Sequence, residues 1–350
     1  SRDTRPLRGR PEGRGNRHPN RCLNVNYQED MTTTPSLTVR VERKTREATD
    51  ILGFDLVGID GEMLPAFSAG SHIDLMLPNG ITRQYSLCNP PTERRRYSIA
   101  VLREPASRGG SKALHDAVHE GDTLVISPPR NHFALAHGAK RHLLLAGGIG
   151  ITPILCMADR LAATGEHFDL HYCARSEERM AFRERVQAFS ERATLHLDDG
   201  DAVQRLDFAS LLAQPEPGTH LYVCGPKGFM DAVLEAARHS SWKEECLHYE
   251  FFSGAAINTD SDSEFDVRLA STGQVIAVAR GTSVTEALLC AGIKVNTSCE
   301  QGVCGSCLTR VLEGTPDHRD LYLTPDEQQK NDQFTPCCSR SKSKVLVLDL

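Results

Sequence analysis

The sequence predicts three folded modules in series: a small antiparallel β-barrel, an α/β module on a parallel sheet, and an α+β module built around cysteines. Three observations carry this prediction. Short apolar stretches broken by turn residues fill the chain from Ser36 to Phe133. Apolar runs then alternate with longer amphipathic stretches from His137 to Phe252. Beyond Phe265 several cysteines cluster at ligand-like spacing. At 350 residues and 39% hydrophobic content, the chain is long enough for two or three domains, each with its own core.

In the first block Leu37–Val41, Ser71–Leu77 and Tyr97–Leu102 read as strands, with Pro78-Asn79-Gly80 as a turn between two of them. Closely spaced strands with turn signals suggest a small antiparallel barrel. In the second block, residues 142–146, 168–173 and 219–224 read as buried strands. Residues 154–164, 181–191 and 227–238 read as helices. That alternation is a parallel βαβ layout. The expected limits are 36–135 for the barrel, 136–254 for the α/β module, 255–264 for a polar linker and 265–350 for the cysteine module. Residues 1–35 are rich in Arg, Gly, Asn and Pro without apolar periodicity, and Met31 offers a fresh start. They read as a disordered or vector-derived extension. They carry no apolar h-region and so are not expected to be a secretory signal.

Composition narrows the function classes. The formal net charge is −6, so nothing suggests a grip on a nucleic-acid backbone. No apolar run approaches the roughly 18 residues of a membrane span. There are 12 Cys, some tightly spaced and the rest scattered, which suggests a reducing compartment and a metal site rather than disulfides. A cytoplasmic monomer is expected.

The strongest chemical signal is Cys299-Glu-Gln-Gly-Val-Cys304-Gly-Ser-Cys307 with Cys337 far downstream. This C-x4-C-x2-C pattern with a distant fourth cysteine is the spacing of a plant-type [2Fe–2S] centre. A structural zinc site usually pairs C-x2-C clips, which this is not. Gly302 and Gly305 permit a tight loop whose N–H groups approach the sulfur atoms. Cys337 is the fourth ligand by spacing, with the adjacent Cys338 as the alternative.

Two further sets point to nucleotides. Gly147-Gly148-Ile-Gly150-Ile-Thr152-Pro153 follows an apolar strand and opens a helix, an arrangement that suits a pyrophosphate at a helix N-terminus. Cys224-Gly225-Pro226 ends a later strand, where the carboxyl ends of a doubly wound sheet form a ligand crevice. Cys224 there is either a buried small hydrophobe or a neighbour of a nicotinamide ring. In the barrel block, Arg83 suits a phosphate, Tyr85 a ring system and Ser86 a ring nitrogen. Arg108-Gly109-Gly110-Ser111-Lys112 leads into a helix and would cradle a flavin phosphate, though Ser111 would equally serve as a helix cap.

These sets, in this order, resemble the reductase components of Rieske oxygenase systems, of the phthalate dioxygenase reductase and vanillate O-demethylase reductase type. The matching stretches are Arg83–Asn89, Gly109–Ser111, Pro129–Asn131, Gly147–Pro153, Cys224–Pro226, Glu250–Phe252, Cys299–Cys307, Pro316–Asp320 and Cys337–Arg340. The resemblance implies an FMN-binding barrel, an NADH-binding α/β domain and a C-terminal β-grasp ferredoxin domain. On it, Arg83, Tyr85, Ser86, Gly110 and Ser111 hold FMN, while Gly148, Gly150, Thr152 and Cys224 line the nicotinamide site. Phe252 covers the flavin, with Phe251 as the near alternative. Ser86, Cys224 and Phe252 are the catalytic candidates. The stretch Cys173-Ala-Arg175-Ser176-Glu177 leaves NADPH open beside NADH, because Arg and Ser suit a 2′-phosphate and Glu opposes it.

The expected route is NADH to FMN to [2Fe–2S] to an oxygenase with a Rieske centre, docked transiently around residues 297–301 and 317–320. Two other readings are an FAD-type reductase of a diiron monooxygenase and a ferredoxin carrier without catalysis. The oxygenase substrate is not readable from a chain that never touches it.

Overall fold

The computed structural model describes residues 36–105, 107, 109–252, 254 and 262–350. The N-terminal extension, Arg108 and linker residues 255–261 lie outside the described residues.

The first module starts with a long hairpin, β1 (Leu37–Ala48) and β2 (Ile51–Gly58), reversed at Thr49-Asp50. It continues through β3 (Ser71–Met76), β4 (Thr82–Ser86), β5 (Arg96–Leu102), helix α1 (Gly110–Ala117), β6 (Thr123–Ile126) and β7 (Arg130–Asn131). The path is β4-β3-β6-β1-β2-β5, with β7 beside β3, and every pairing is antiparallel. Alternate residues point inward, so Val39, Val41, Phe54, Leu56, Ile73, Leu75, Tyr97 and Ile99 fill the interior. Each such side chain contributes about 1.5–3 kcal/mol on burial. The sheet curls into a half-barrel whose free edges are β4 and β5. Gly109, at φ 98°, precedes α1, and no side chain caps the helix. Ser111 therefore lies inside the first turn and is not the cap.

The second module holds β8 (Arg141–Gly147), α2 (Ile151–Thr164), β9 (Phe168–Ala174), α3 (Arg183–Gln187), β10 (Ala193–Leu197), α4 (Phe208–Leu212), β11 (Thr219–Cys224), α5 (Lys227–His239) and β12 (Leu247–Glu250). Its sheet is parallel throughout, in the order β10-β9-β8-β11-β12. The chain direction across the sheet reverses between β8 and β11, which is where open α/β sheets form their crevice. The helix expected over 181–191 is shorter. Phe182 and Ser190 take left-handed φ values of 56° and 55°, so only α3 forms between them and one 3₁₀ turn follows from Ser190. Helix α2 also begins earlier than its apolar pattern suggested, directly on the glycine turn.

The third module comprises β13 (Phe265–Leu269), β14 (Val275–Val278), α6 (Val284–Cys290), β15 (Thr309–Glu313), β16 (Pro316–Asp317), α7 (Pro325–Lys330), β17 (Gln333–Phe334), β18 (Arg340–Ser341) and β19 (Val345–Leu348). The order β14-β13-β19-β15-β17 is mixed, with β13 and β19 parallel at its centre. Helix α6, capped by Ser283, lays Val284, Ala287 and Leu288 on that sheet. All three modules belong to one compact unit. Ile51, Ala69, Ala100 and Phe133 of the half-barrel share a core with α2. No helix among the described residues is long and apolar enough to cross a membrane.

Candidate functional site

A cavity of about 510 Å³ is lined by all three modules. The half-barrel contributes both free edges, with Arg83, Gln84, Tyr85 and Ser86 from β4 and Ala100, Val101 and Leu102 from β5. It also supplies Gly110 and Ser111 from α1. The α/β module contributes Ile149, Thr152, Gly225 and Pro226, then Glu250 at the end of β12 and Phe251 and Phe252 just past it. The cysteine module adds Cys299, Gln301, Val303 and Cys304. The curled sheet leaves β4 and β5 unpaired with each other, and the gap between them opens onto the cavity.

Arg83 packs tightly over the start of α1, since a Cβ on Gly110 would come within 2.8 Å of its Cγ. Its guanidinium donates to the Ser298 carbonyl at 3.2 Å and pairs with Glu300 at 3.5 Å. A fixed cation beside the unpaired N–H groups of a helix start suits a phosphate. Ser111 Oγ accepts from the Glu104 N–H at 3.1 Å and so ties down the preceding loop. Burial pushes the Tyr85 phenol well above its ordinary range, so the ring stands as a neutral surface.

Ser86 donates to Glu250 Oε2 at 3.2 Å. Burial raises the Glu250 carboxyl to about 7. His72, cross-strand from Ser86, lies 4.0 Å from Glu250. Burial lowers its imidazole to about 4. Among the described residues neither of its ring nitrogens has a hydrogen-bond partner. Orphaned buried polar atoms on a cavity wall fit a polar ligand. Sequence reasoning assigned no role to His72 or Glu250; the one available signal was an acidic residue at a strand end beside two phenylalanines.

At the strand ends, a Cβ on Gly150 would sit 2.2 Å from the Cys224 carbonyl oxygen. Gly150 therefore lets the start of α2 rest on the β11–α5 turn, a packing reason for this glycine beside the expected approach of a pyrophosphate. Thr152 Oγ1 closes the turn between β8 and α2 by donating to the Ile149 carbonyl at 3.0 Å. Cys224 is 0% exposed, and burial followed by the Glu250 charge holds its thiol well above the ordinary value. Gly225 and Pro226 line the cavity, whereas Gly109, Gly147, Gly148, Gly150 and Cys224 are not among the lining residues. Phe252 is 38% exposed on the cavity wall. Phe251 stacks edge-on with Tyr249 at 5.6 Å and joins the α5 core.

The cysteine loop and the segment around Cys337 bring their thiols together. Cys299 meets the thiols of Cys304 and Cys337, which hold its pKa down, and Cys337 also meets Cys307 and Cys338. The Gln301 N–H lies 3.4 Å from Cys299 Sγ and the Ser306 N–H 3.5 Å from Cys304 Sγ. Among the described residues no three His, Cys, Asp or Glu side chains are grouped to hold a single metal ion. Four thiols linked through Cys299 and Cys337 fit a cluster of two irons, each needing two thiolates. Gly302 takes φ +71°, and a Cβ there would meet Cys338 Sγ at 2.3 Å. Cys338 meets both Cys337 and Thr335 Oγ1, the latter 3.2 Å away.

Comparison with known proteins agrees with this geometry. Residues 267–342 match the 2Fe-2S iron-sulfur cluster binding domain, and residues 124–247 the dimethylamine monooxygenase subunit DmmA-like N-terminal domain. A vanillate O-demethylase oxidoreductase of Pseudomonas putida is 56% identical over 313 residues, covering 89% of this chain and 98% of the relative. Phthalate dioxygenase reductase of Burkholderia cepacia is 41% identical over 91% of this chain and 100% of the relative. A solved structure of phthalate dioxygenase reductase, described as modular for electron transfer from pyridine nucleotides to [2Fe–2S], superposes with a TM-score of 0.73. It has 40% identity and covers 90% of this chain and 98% of that one. A curled antiparallel half-barrel, a parallel sheet with its crevice at the strand reversal, and a terminal iron–sulfur module therefore place this chain in the phthalate dioxygenase reductase and vanillate O-demethylase oxidoreductase family of iron–sulfur flavoprotein oxidoreductases.

Proposed function

We propose that the chain takes electrons from NADH through FMN to its own [2Fe–2S] cluster and hands them to an oxygenase with a Rieske centre. The observation that carries this reading is the shared cavity, which brings the β4 edge, the β11 end and Cys299 and Cys304 to one space. Bound FMN supplies the change from a two-electron donor to a one-electron acceptor.

The chain's own residues hold and orient. Arg83 and the first N–H groups of α1 grip the phosphate. Arg83 also reaches the Ser298 carbonyl and Glu300, so the cysteine loop bounds the phosphate end. This favours FMN over the longer FAD. Tyr85 flanks the ring, Ser86 and Glu250 face its polar edge, and Phe252 covers the face that nicotinamide must reach. Gly225 and Pro226 shape the nicotinamide side, and Cys224 packs beneath them. Cys299, Cys304, Cys307 and Cys337 hold the irons; Cys337, which meets both Cys299 and Cys307, is better suited as fourth ligand than Cys338. The acidic Glu177, which follows Arg175 and Ser176 in sequence, opposes a 2′-phosphate and favours NADH over NADPH. The domain limits are those of the three sheets, 36–135, 136–254 and 265–350. The partner docks transiently and the chain acts as a monomer.

The 56% identity to a vanillate O-demethylase oxidoreductase supports a partner that demethylates a methoxylated aromatic acid. Mixing the purified chain with such a Rieske oxygenase should give product with NADH and much less with NADPH, and extraction should release FMN. Extracted FAD, or electron delivery only to Rieske-free acceptors, would contradict the proposal.

A further inference from the structure

Asp74 and Gln84 face each other across β3 and β4, so their side chains stand together on one face of the hairpin. Both reach the cysteine loop. Asp74 Oδ1 accepts from Ser298 Oγ at 3.0 Å, and Gln84 Nε2 lies 3.5 Å from Ser306 Oγ. Each serine is next in sequence to a predicted iron ligand, Ser298 to Cys299 and Ser306 to Cys307. Ser298 is 3% exposed, so its hydroxyl has no bulk water to fall back on. Asp74 is itself braced, since Arg130 bonds its other oxygen and Ser127 Oγ accepts from its N–H at 2.9 Å. The next residues of the same hairpin, Tyr85 and Ser86, line the cavity. One short hairpin thus carries the proposed flavin wall and grips the iron–sulfur loop beside its ligands.

We propose that Asp74, with Gln84 beside it, is the latch that seats the cluster loop on the flavin wall, and that the Asp74–Ser298 hydrogen bond is the positioning contact for internal electron passage. This rests on the electron route proposed above. A hydride brings two electrons and a proton. The electrons leave singly: the first converts one ferric ion of the cluster to ferrous, the second follows once the cluster has passed the first to its acceptor, and the proton returns to solvent. The latch takes no part in that chemistry; it fixes the separation over which each electron travels. Losing a buried hydrogen bond to a charged acceptor should lower the seated fraction by about tenfold.

The test uses the full-length holoprotein and the variants Ser298→Ala, Asp74→Ala and both together. Flavin bleaching by NADH, followed by anaerobic stopped flow, should keep its wild-type rate, and flavin and iron contents should not change. Cluster reduction, read by freeze-quench EPR, should slow about tenfold in each variant, and amides of residues 297–306 should exchange faster. The double variant should be no slower than either single one, because both delete the same contact. Asp74→Asn, which keeps the accepting oxygen, should restore most of the rate. A wild-type cluster rate in Ser298→Ala, or fully additive losses, would overturn the latch. Failure of the wild-type protein to bleach with NADH would instead sink the electron route itself. If Asp74→Ala does not fold, Ser298→Ala and Asp74→Asn decide alone.

Discussion

Replacing Glu250 with Gln should stabilise the protein at alkaline pH and leave it nearly unchanged at acid pH. Burial raises the carboxyl from an ordinary 4.5 to about 7, and only the Ser86 hydrogen bond opposes that. Between those values the unfolded chain has lost the proton that the folded chain still holds. Stability therefore falls as pH rises from 4.5 toward 7, and above 7 the charged carboxylate stays buried at full cost. The interval corresponds to about 3 kcal/mol at 1.36 kcal/mol per pH unit. The side chain keeps 18% exposure toward the cavity, so about 2 kcal/mol is the better expectation. His72 offers no compensating charge, because burial keeps it neutral down to about pH 4. Glutamine removes the ionisation and retains an oxygen for Ser86. Calorimetric unfolding of the holoprotein at pH 5 and pH 8 reads the effect as a rise of several degrees in Tm at pH 8 alone. The same Tm change at both pH values, or a loss of stability at pH 8, would refute the reasoning.

Four other outcomes follow from the site. Cys304→Ser should abolish the iron–sulfur EPR signal while NADH still bleaches the flavin; loss of both would mean that the modules do not function independently. Arg83→Ala should lower FMN retention at least tenfold, measured by equilibrium dialysis, and unchanged retention would remove Arg83 from the phosphate site. Gly150→Ala should cost about 3 kcal/mol or more in thermal unfolding, because its Cβ meets the Cys224 backbone oxygen at 2.2 Å and backbone cannot step aside. Phe252→Ala should alter the NADH dependence of flavin bleaching with little change in Tm, while Phe251→Ala should cost about 2 kcal/mol of packing; the reverse pattern would exchange their roles.

Much of the fold was legible because its signals are local. The C-x4-C-x2-C loop places three of the proposed ligands within nine residues of sequence, and the apolar strand before Gly147 announces the crevice side of the sheet. The helix expected over 181–191 failed because Phe182 and Ser190 adopt left-handed backbone that no periodicity reveals. The Gly150 contact depends on β8 and β11 becoming neighbours, which the local turn pattern does not encode. The same limit hid the His72, Ser86 and Glu250 group, whose members come from three strands of two modules. It hid Asp74 with Ser298 as well, since those residues meet across 224 positions. Long-range polar pairs leave no trace in spacing; they become visible only when two modules share a wall.

The most direct test of the electron route is an anaerobic titration of the purified protein with NADH, read by visible absorbance and low-temperature EPR. The account predicts flavin bleaching followed by a rhombic signal from a reduced [2Fe–2S] centre, with electrons from one NADH shared between the two centres. Bleaching without that signal would break the link between flavin and cluster, and no bleaching at all would contradict the reductase reading from its first step.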